Sequence, residues 1–200
     1  MTIAGLENAL INLDCNRKGA NSVSYIMGQS LESTISNGIV IGDVSMDELL
    51  GIVERHVANG CKRIKLKVSP HDGYERTRLV REAYPELALA VDANQSYTYD
   101  QLDMVAAYND LHLLCIEEPF SMTNLTTYKA WKKSLPNWPI TTSICLDESI
   151  LSYDDLSYAI EYRLIDVLNV KVGRLGGLIQ TRAAILRCRE VGIPYWIGSM

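Results

Sequence analysis

The sequence predicts an α/β fold, a TIM-like (β/α) barrel that is incomplete and has about seven strands. From residue 38 onward, short apolar runs rich in β-branched residues alternate with longer polar and amphipathic segments. The alternation repeats at intervals of about 25 residues, which is typical of parallel strands joined by crossover helices. The sequence has no GxGxxG after the first strand and no GxxxxGK(S/T) at any position, so a barrel is favoured over a nucleotide-binding sheet.

Seven segments have the composition of buried strands. They are GIVIG at 38–42, RIKLKV at 63–68, LALAVDAN at 87–94, LLCIEEP at 113–119, ITTSICLDES at 140–149, DVLNVKV at 166–172 and PYWIGSM at 194–200. In RIKLKV the residue types alternate, which places Lys65 and Lys67 on one face of the strand and Leu66 on the other.

Helices are predicted between these strands from apolar periodicity and from helix start signals. The first begins at a capping box, in which Ser45 and Glu48 precede an apolar stretch. The others are predicted over residues 72–84, 100–109, 124–134, 153–161 and 177–191. Residues 1–35 are predicted to be a helical lead-in segment, with a helix over AGLENALINLD and then a connection, and residues 36–200 to be the partial barrel domain.

Composition excludes several classes of protein. The chain has 200 residues, 48% hydrophobic content and a net charge of -5, so it can form an apolar core without disulfides. The mild acidity and the lack of a basic run argue against nucleic-acid binding, and the apolar runs are too short to span a membrane. Five cysteines without paired spacing favour reduced thiols, and we therefore expect a cytoplasmic protein.

Charged side chains stand near the ends of five predicted strands that should otherwise be apolar. They are Lys67, Asp92, Glu117, Asp147 and Lys171, separated by 25, 25, 30 and 24 residues. Because each spacing is close to one βα repeat, we expect these charges to lie at equivalent levels at the C-terminal ends of the strands. In barrel enzymes that end carries the catalytic residues.

Three converging carboxylates repel one another in a partly desolvated site, so they require protons or a bound cation. Ligands that are all oxygens suit Mg²⁺, with Mn²⁺ as a substitute. Such an ion stabilises charge on a substrate carboxylate, and nearby cations lower the pKa of a lysine toward the working pH. With Lys65 and Lys67 before the acids in strand order and Lys171 after them, the pattern predicts abstraction of a proton α to a carboxylate through an enediolate.

Five motifs resemble those of the enolase superfamily, muconate lactonizing enzyme subgroup. They are KLK at 65–67, DANQSY at 92–97, IEEPF at 116–120, CLDES at 145–149 and NVKVGRLGG at 169–177. Together with YWIGSM at 195–200, they are most similar to the branch that contains o-succinylbenzoate synthase and N-succinylamino acid racemase. The resemblance covers nearly the whole chain.

The resemblance implies a role for each matching residue. The Mg²⁺ ligands would be Asp92, Glu117 and Asp147. Lys67 would be the general base, Lys65 would tune it, and Lys171 would act on the opposite face of the substrate. In a synthase Lys171 would stabilise charge, and in a racemase it would be the second base. Residues implied to support the metal, the lysines or the substrate are Asn94, Glu148, Ser149, Gly198, Ser199 and Met200.

The implied reaction is that of a Mg-dependent lyase, the dehydration that forms o-succinylbenzoate for menaquinone biosynthesis, or else the racemisation of N-succinylamino acids. Dipeptide epimerase and muconate-type cycloisomerase activities stay open as alternatives within the same superfamily. An alternative of another class is a Schiff-base lyase of the aldolase type that uses Lys171. A further alternative is an inactive barrel fragment that acts only by association.

Two parts of the family's architecture have no match in this sequence. They are the N-terminal capping domain and the last βα unit, and a complete barrel takes about 250 residues. We therefore expect the chain to be a fragment of a longer enzyme. That enzyme would bind a small-molecule carboxylate and would form a homo-oligomer.

Overall fold

The structure is a computed structural model that describes residues 2–28 and 37–199. The chain divides into two compact units. The central unit comprises residues 37–145, and the terminal unit comprises residues 2–28 together with residues 146–199.

The described elements alternate as the sequence predicts. The helices are α1 Thr2–Lys18, α2 Ser22–Met27, α3 Met46–Ala58, α4 Gly73–Ala83, α5 Leu102–Ala106, α6 Leu125–Ser134, α7 Tyr153–Glu161, α8 Val172–Leu175 and α9 Leu178–Val191. The strands are β1 Ile39–Ile41, β2 Arg63–Lys67, β3 Ala88–Asp92, β4 Ile116–Glu117, β5 Ile144–Leu146, β6 Val167–Val170 and β7 Tyr195–Ile197. Each of the seven predicted strand segments contains one of these strands, so the predicted order is confirmed.

The central unit is built on parallel strands that pair in chain order, from β1 with β2 to β4 with β5. In β2 burial alternates as predicted, because Ile64 and Leu66 are fully buried whereas Lys65 and Lys67 are half-buried. The residues of β4 and nearly all of those of β3 are buried, as expected for parallel strands with both faces covered. The lysines of β2 therefore share one face, and its apolar residues occupy the other.

Helix α3 begins where predicted, but the predicted capping box is wrong. Ser45 is the N-cap, yet its side chain makes no capping hydrogen bond with the helix backbone. Ser45 Oγ instead donates to Glu48 Oε2 over 2.7 Å, a charge-assisted bond that takes the place of the backbone bond. The helix is held by its buried face, where Leu49 and Val53 lie about one turn apart.

The segment predicted as one helix over 100–109 consists of three pieces. Helix α5 is preceded by a 3₁₀ turn at Tyr99–Gln101 and followed by another at Ala107–Leu111. A capping box between Thr98 and Gln101 starts the segment. The second 3₁₀ turn buries Tyr108, so the tighter winding at this end accompanies side-chain packing.

The terminal unit contains the parallel pair of β6 and β7 and the helices α1, α2, α7, α8 and α9. Helix α2 corrects the predicted connection after α1. Asn21 caps it by accepting hydrogen bonds from the backbone N–H groups of Val23 and Ser24, and Gly28 ends it in the left-handed region. The helix predicted over 177–191 is found as α9, and the short helix α8 precedes it.

These elements confirm the predicted fold class, an incomplete TIM-like (β/α) barrel with parallel strands and intervening helices. The domain boundary predicted at residue 35 stays a prediction. Within the described ranges, the helices lack the length and apolar character that crossing a membrane would require.

Candidate active site

The central unit brings together four of the predicted charged residues at the C-terminal ends of three adjacent strands. Lys67 pairs in register with Asp92, and Asp92 pairs with Glu117, so the two spacings of 25 residues correspond to direct neighbours. Asp92 and Glu117 are 2% and 0% exposed, which means that their carboxylates require compensating partners. Lys65 lies two residues before Lys67 on β2, on the same face of the strand.

The two lysines of β2 supply these partners. Lys65 Nζ donates to Glu117 Oε2 over 2.8 Å and lies 3.0 Å from Asp92 Oδ2. Lys67 Nζ donates to Asp92 Oδ2 over 2.7 Å and also to Asn94 Oδ1. Because the side chain of Lys67 is 36% exposed and that of Lys65 only 15%, Lys67 is the lysine that a ligand can reach more readily.

Charge and burial have opposite effects on the pKa values of this cluster. Burial by itself would lower the pKa of Lys65, but the charges of Glu117 and Asp92 outweigh it and raise that pKa. Burial would likewise raise the pKa of Asp92, yet the ammonium groups of Lys65 and Lys67 hold it below the usual value. The raised pKa of Lys65 therefore has its cause in the two carboxylates that lie against it.

The backbone at the ends of β3 and β4 adopts left-handed conformations at residues other than glycine. Asn94, Gln95 and Glu118 have φ values of 44°, 61° and 39°. Hydrogen bonds between the two loops hold this geometry, since Gln95 N donates to Glu118 O over 2.7 Å and Ala93 N donates to Glu117 O over 3.0 Å. Such strained conformations cluster at functional sites, where the surrounding structure maintains them.

Glu118 is a buried acid in this unit to which the sequence analysis assigned no role. It is 0% exposed and directly follows Glu117. The doubled acid before Pro119 was the available signal. Strand alternation predicts opposite faces for two consecutive residues, so only Glu117 was assigned to the site.

The terminal unit contains a second cluster, in which one carboxylate has two cationic partners. Asp147 is 1% exposed and directly follows β5. Lys171 Nζ donates to Asp147 Oδ2 over 2.5 Å, and Arg174 Nη1 donates to Asp147 Oδ1. Lys171 is the N-cap of α8 and Arg174 lies within that helix. Sequence reasoning missed Arg174, although its position three residues after Lys171 in the NVKVGRLGG motif was a signal for a shared helix face.

The common level predicted for the charges stays a prediction for Asp147. Strand β4 pairs with β5 so that Glu117 lies in register with Cys145. Asp147 comes two residues later in the chain and belongs to the terminal unit.

The remaining predicted residues lie on chain segments that follow strands. Asn94 contacts Lys67, and its backbone N–H donates to Asp92 Oδ1 over 3.1 Å. The half-buried Glu148 and Ser149 follow Asp147 in the chain. Gly198 N donates to Val170 O over 2.9 Å, and a side chain at this position would meet the amide of Asn169. Ser199 is exposed, and Met200 lies outside the described residues.

The donor chemistry of the central cluster fits a hard cation. Asp92 and Glu117 are adjacent, buried carboxylates, and their oxygens are the ligands that Mg²⁺ prefers. The ammonium of Lys65 lies within hydrogen-bonding distance of both, so a positive charge is accommodated at this point. Over residues 2–28 and 37–199, no three His, Cys, Asp or Glu side chains are grouped closely enough to hold a metal ion. The predicted ligand set of Asp92, Glu117 and Asp147 stays a prediction.

Proteins similar in sequence to this chain include o-succinylbenzoate synthases and N-succinylamino acid racemases. An o-succinylbenzoate synthase from Geobacillus kaustophilus is 36% identical over 201 residues, which cover 100% of this chain and 52% of that protein. An N-succinylamino acid racemase from Thermus thermophilus is 35% identical over 202 residues, which cover 100% of this chain and 53% of that protein. The chain spans about half the length of the curated relatives that it matches.

Solved structures agree with the fold. A probable mandelate racemase from Alicyclobacillus acidocaldarius has a TM-score of 0.88 at 30% identity, covering 99% of this chain and 50% of that one. A dipeptide epimerase from Cytophaga hutchinsonii, solved with Mg and the dipeptide D-Ala-L-Val, has a TM-score of 0.84 over 96% of this chain and 52% of that one. Its identity of 21% supports the fold alone. The family profile described as Enolase C-terminal domain-like matches residues 48–200, so the resemblance is confirmed and the chain belongs to the enolase superfamily.

Proposed function

We propose that the chain carries acid–base residues of an enzyme that removes the proton α to a carboxylate, as an o-succinylbenzoate synthase, an N-succinylamino acid racemase or both. The single observation behind this proposal is the position of Lys67 at the C-terminal end of a barrel-type strand, with its side chain 36% exposed and its ammonium donating to buried Asp92. The sequence relatives named for these two reactions support the choice of substrate class.

Lys67 is proposed as the general base. Its Nζ lies 2.7 Å from Asp92 Oδ2 and also contacts Asn94 Oδ1, so the amine is held in one orientation. After loss of its proton, this amine accepts the proton from the α-carbon of the substrate. Lys65 keeps a positive charge beside Glu117 and Asp92 and so tunes the site. In the synthase reaction Lys67 then returns its proton to the departing hydroxyl group, and water leaves.

Lys171 is proposed as the second lysine of the same reaction, on the basis of the strand spacing in the sequence. Within the terminal unit its ammonium donates to Asp147 Oδ2 over 2.5 Å. In a synthase this charge would stabilise the negative charge that develops on the substrate. In a racemase Lys171 would donate a proton to the α-carbon, and the configuration would be inverted.

Asp92, Glu117 and Asp147 are proposed to hold Mg²⁺, or Mn²⁺ in its place. When bound, the ion supplies Lewis-acid stabilisation of the substrate carboxylate and makes the α C–H more acidic. The buried carboxylates of the central unit support this assignment by their all-oxygen chemistry. Glu148, Ser149, Gly198, Ser199 and Met200 remain proposed supporting residues.

The physiological setting is proposed from the same chemistry. The substrate would be a small carboxylate, the enzyme containing this chain would form a homo-oligomer, and it would work in the cytoplasm. The cytoplasmic assignment is supported by Cys15, Cys115 and Cys188, which are buried thiols.

The decisive experiment incubates the full-length enzyme that contains this chain with an N-succinylamino acid in D₂O with Mg²⁺. Exchange of the α-proton, followed by ¹H NMR, is expected, whereas its absence would contradict the proposal. In parallel, the cyclohexadiene substrate is supplied and the aromatic product is detected by ultraviolet absorbance, which separates synthase from racemase activity. A dipeptide arm tests epimerase activity. Borohydride treatment with a carbonyl substrate would trap Lys171 only if the protein were a Schiff-base lyase.

A further inference from the structure

Helix α1 contacts the part of the terminal unit that contains Lys171. Glu7, on α1, accepts a hydrogen bond at Oε2 from the backbone N–H of Ile179 over 3.4 Å. The two residues are 172 positions apart in the chain, and both belong to the terminal unit. No residue of α1 has a role in the proposed function, so this contact is a separate feature of the molecule.

The Glu7 carboxylate lies at the N-terminus of α9. That helix of 14 residues begins after Gly177, which has no side chain with which to cap it, and its first turn contains no acidic residue. The first N–H groups of a helix have no partner within the helix, and the helix dipole makes their surroundings positive. Glu7 supplies both an acceptor and a negative charge, so α1 provides the cap that the sequence next to α9 does not.

Two glycines between α8 and α9 make this close approach possible. Gly176 and Gly177 have φ values of 96° and 137°, which residues with a side chain rarely adopt. A Cβ on Gly177 would also overlap the carboxylate of Glu7. On its other side the turn is closed by Gly177 N, which donates to Val172 O over 3.0 Å. The last two residues of the NVKVGRLGG motif therefore leave room for the carboxylate from α1.

The same turn is joined directly to the backbone of Lys171. Lys171 is the N-cap of α8, and its carbonyl oxygen accepts hydrogen bonds from Arg174 N and Leu175 N, each over 3.0 Å. Because α8 has only four residues, it has little stability of its own and depends on the segments that hold its ends. Its C-terminal end continues into the Gly176–Gly177 turn. A displacement of this turn would therefore be transmitted to Lys171.

We propose that Glu7 is a positioning residue for Lys171. By capping α9 and fixing the Gly176–Gly177 turn, Glu7 holds α8, and with it Lys171, in the position that the reaction requires. The inference rests on the proposed function, in which Lys171 is the second lysine of a racemase. After loss of its own proton, Lys171 takes the α-proton of one enantiomer and Lys67 that of the other, and the C–H electron pair stays on the enediolate. Loss of Glu7 should therefore impair one of the two proton transfers.

The test follows α-proton exchange by ¹H NMR in D₂O with Mg²⁺, separately for each enantiomer of an N-succinylamino acid, with the full-length enzyme that contains this chain. Lys171→Ala identifies the enantiomer whose proton faces Lys171, as the one whose exchange falls more. In Glu7→Ala the exchange rate of that enantiomer should fall at least about tenfold and that of the other less than about twofold. Equal losses for both enantiomers, or unchanged rates, would overturn the proposal.

Two further variants serve as controls. Glu190→Ala removes an exposed carboxylate at the other end of α9 and should leave both exchange rates unchanged. Glu7→Gln keeps an acceptor oxygen but loses the charge, so the rate for the affected enantiomer should fall only about threefold. If circular dichroism shows that Glu7→Ala does not fold, Glu7→Gln takes its place. A loss in Glu7→Gln that is equal for the two enantiomers would contradict a role in positioning Lys171.

Hydrogen–deuterium exchange of backbone amides, which needs no turnover, separates this inference from the proposed function. The amides of residues 172–180 should exchange faster in the Glu7 variant than in the parent enzyme, because the cap and the turn are loosened. In Glu190→Ala the same amides should keep their protection. Unchanged protection in the Glu7 variant refutes the role of Glu7 even if the enzyme is active. Lack of α-proton exchange in the parent enzyme refutes the proposed reaction instead.

Discussion

The two charged clusters of the molecule differ in how their buried carboxylates are paired with cationic side chains. In the central unit two buried acids share two lysines, and Lys65 contacts both Asp92 and Glu117. In the terminal unit a single buried acid, Asp147, has two cationic partners. Among the contacts that the structure describes, the two acids of the central cluster share the bridging Lys65, whereas Asp147 of the terminal cluster has both Lys171 and Arg174. Loss of one lysine should affect them unequally.

The largest effect is expected from Lys67→Ala, which removes the proposed base from the central cluster. For the enantiomer whose α-proton faces Lys67, the rate of exchange should fall at least about a thousandfold, because Lys171 is proposed to act on the opposite face of the substrate. ¹H NMR in D₂O measures the rate. Lys62→Ala, an exposed lysine just before β2, is the matched control. Undiminished exchange in Lys67→Ala would refute the assignment.

The next largest effect is expected from Lys65→Met and concerns stability. Two buried carboxylates lose the ammonium that lies between them, so the free energy of unfolding should fall by about 3 kcal/mol. Urea denaturation measures the loss, with Lys62→Met as the control for removal of a lysine. A change below about 0.5 kcal/mol would show that the bridge does not support the fold.

The substitution Asp147→Asn tests whether Asp147 of the terminal cluster is a metal ligand. Replacement of the carboxylate by an amide removes the charge that attracts a divalent cation, so the affinity for Mg²⁺ should fall about tenfold. Titration calorimetry gives the dissociation constant, and Asp154→Asn on the exposed side of α7 is the control. If both variants bind Mg²⁺ as the parent does, Asp147 is not a ligand.

The smallest effect is expected from Lys171→Met. Asp147 keeps its contact with Arg174, so the free energy of unfolding should fall by only about 1 kcal/mol. Measured beside Lys65→Met under the same conditions, this variant tests the inequality of the clusters directly. Equal losses in the two variants would mean that the spare partner in the terminal unit has no stabilising role.

Sequence patterns predicted the features that depend on neighbouring residues. The alternation of RIKLKV placed Lys65 and Lys67 on one face, and strand spacing placed Lys67, Asp92 and Glu117 side by side. The capping box at Ser45 failed because its hydroxyl had a second partner, the Glu48 carboxylate. The connection predicted after α1 contains α2. Its N-cap residue, Asn21, was visible in the sequence, but a helix of only six residues gives a weak sequence signal.

By itself, the sequence determined the order of strands and helices, the face of β2 that carries the lysines and the set of acids at the strand ends. Only the tertiary structure decided that Lys65 bridges Asp92 and Glu117 and that Arg174 joins Lys171 on Asp147. The physical reason is distance along the chain. Alternation and periodicity are properties of consecutive residues, whereas contacts across 25 to 52 residues depend on strand register and on the cost of burying a charge without a partner.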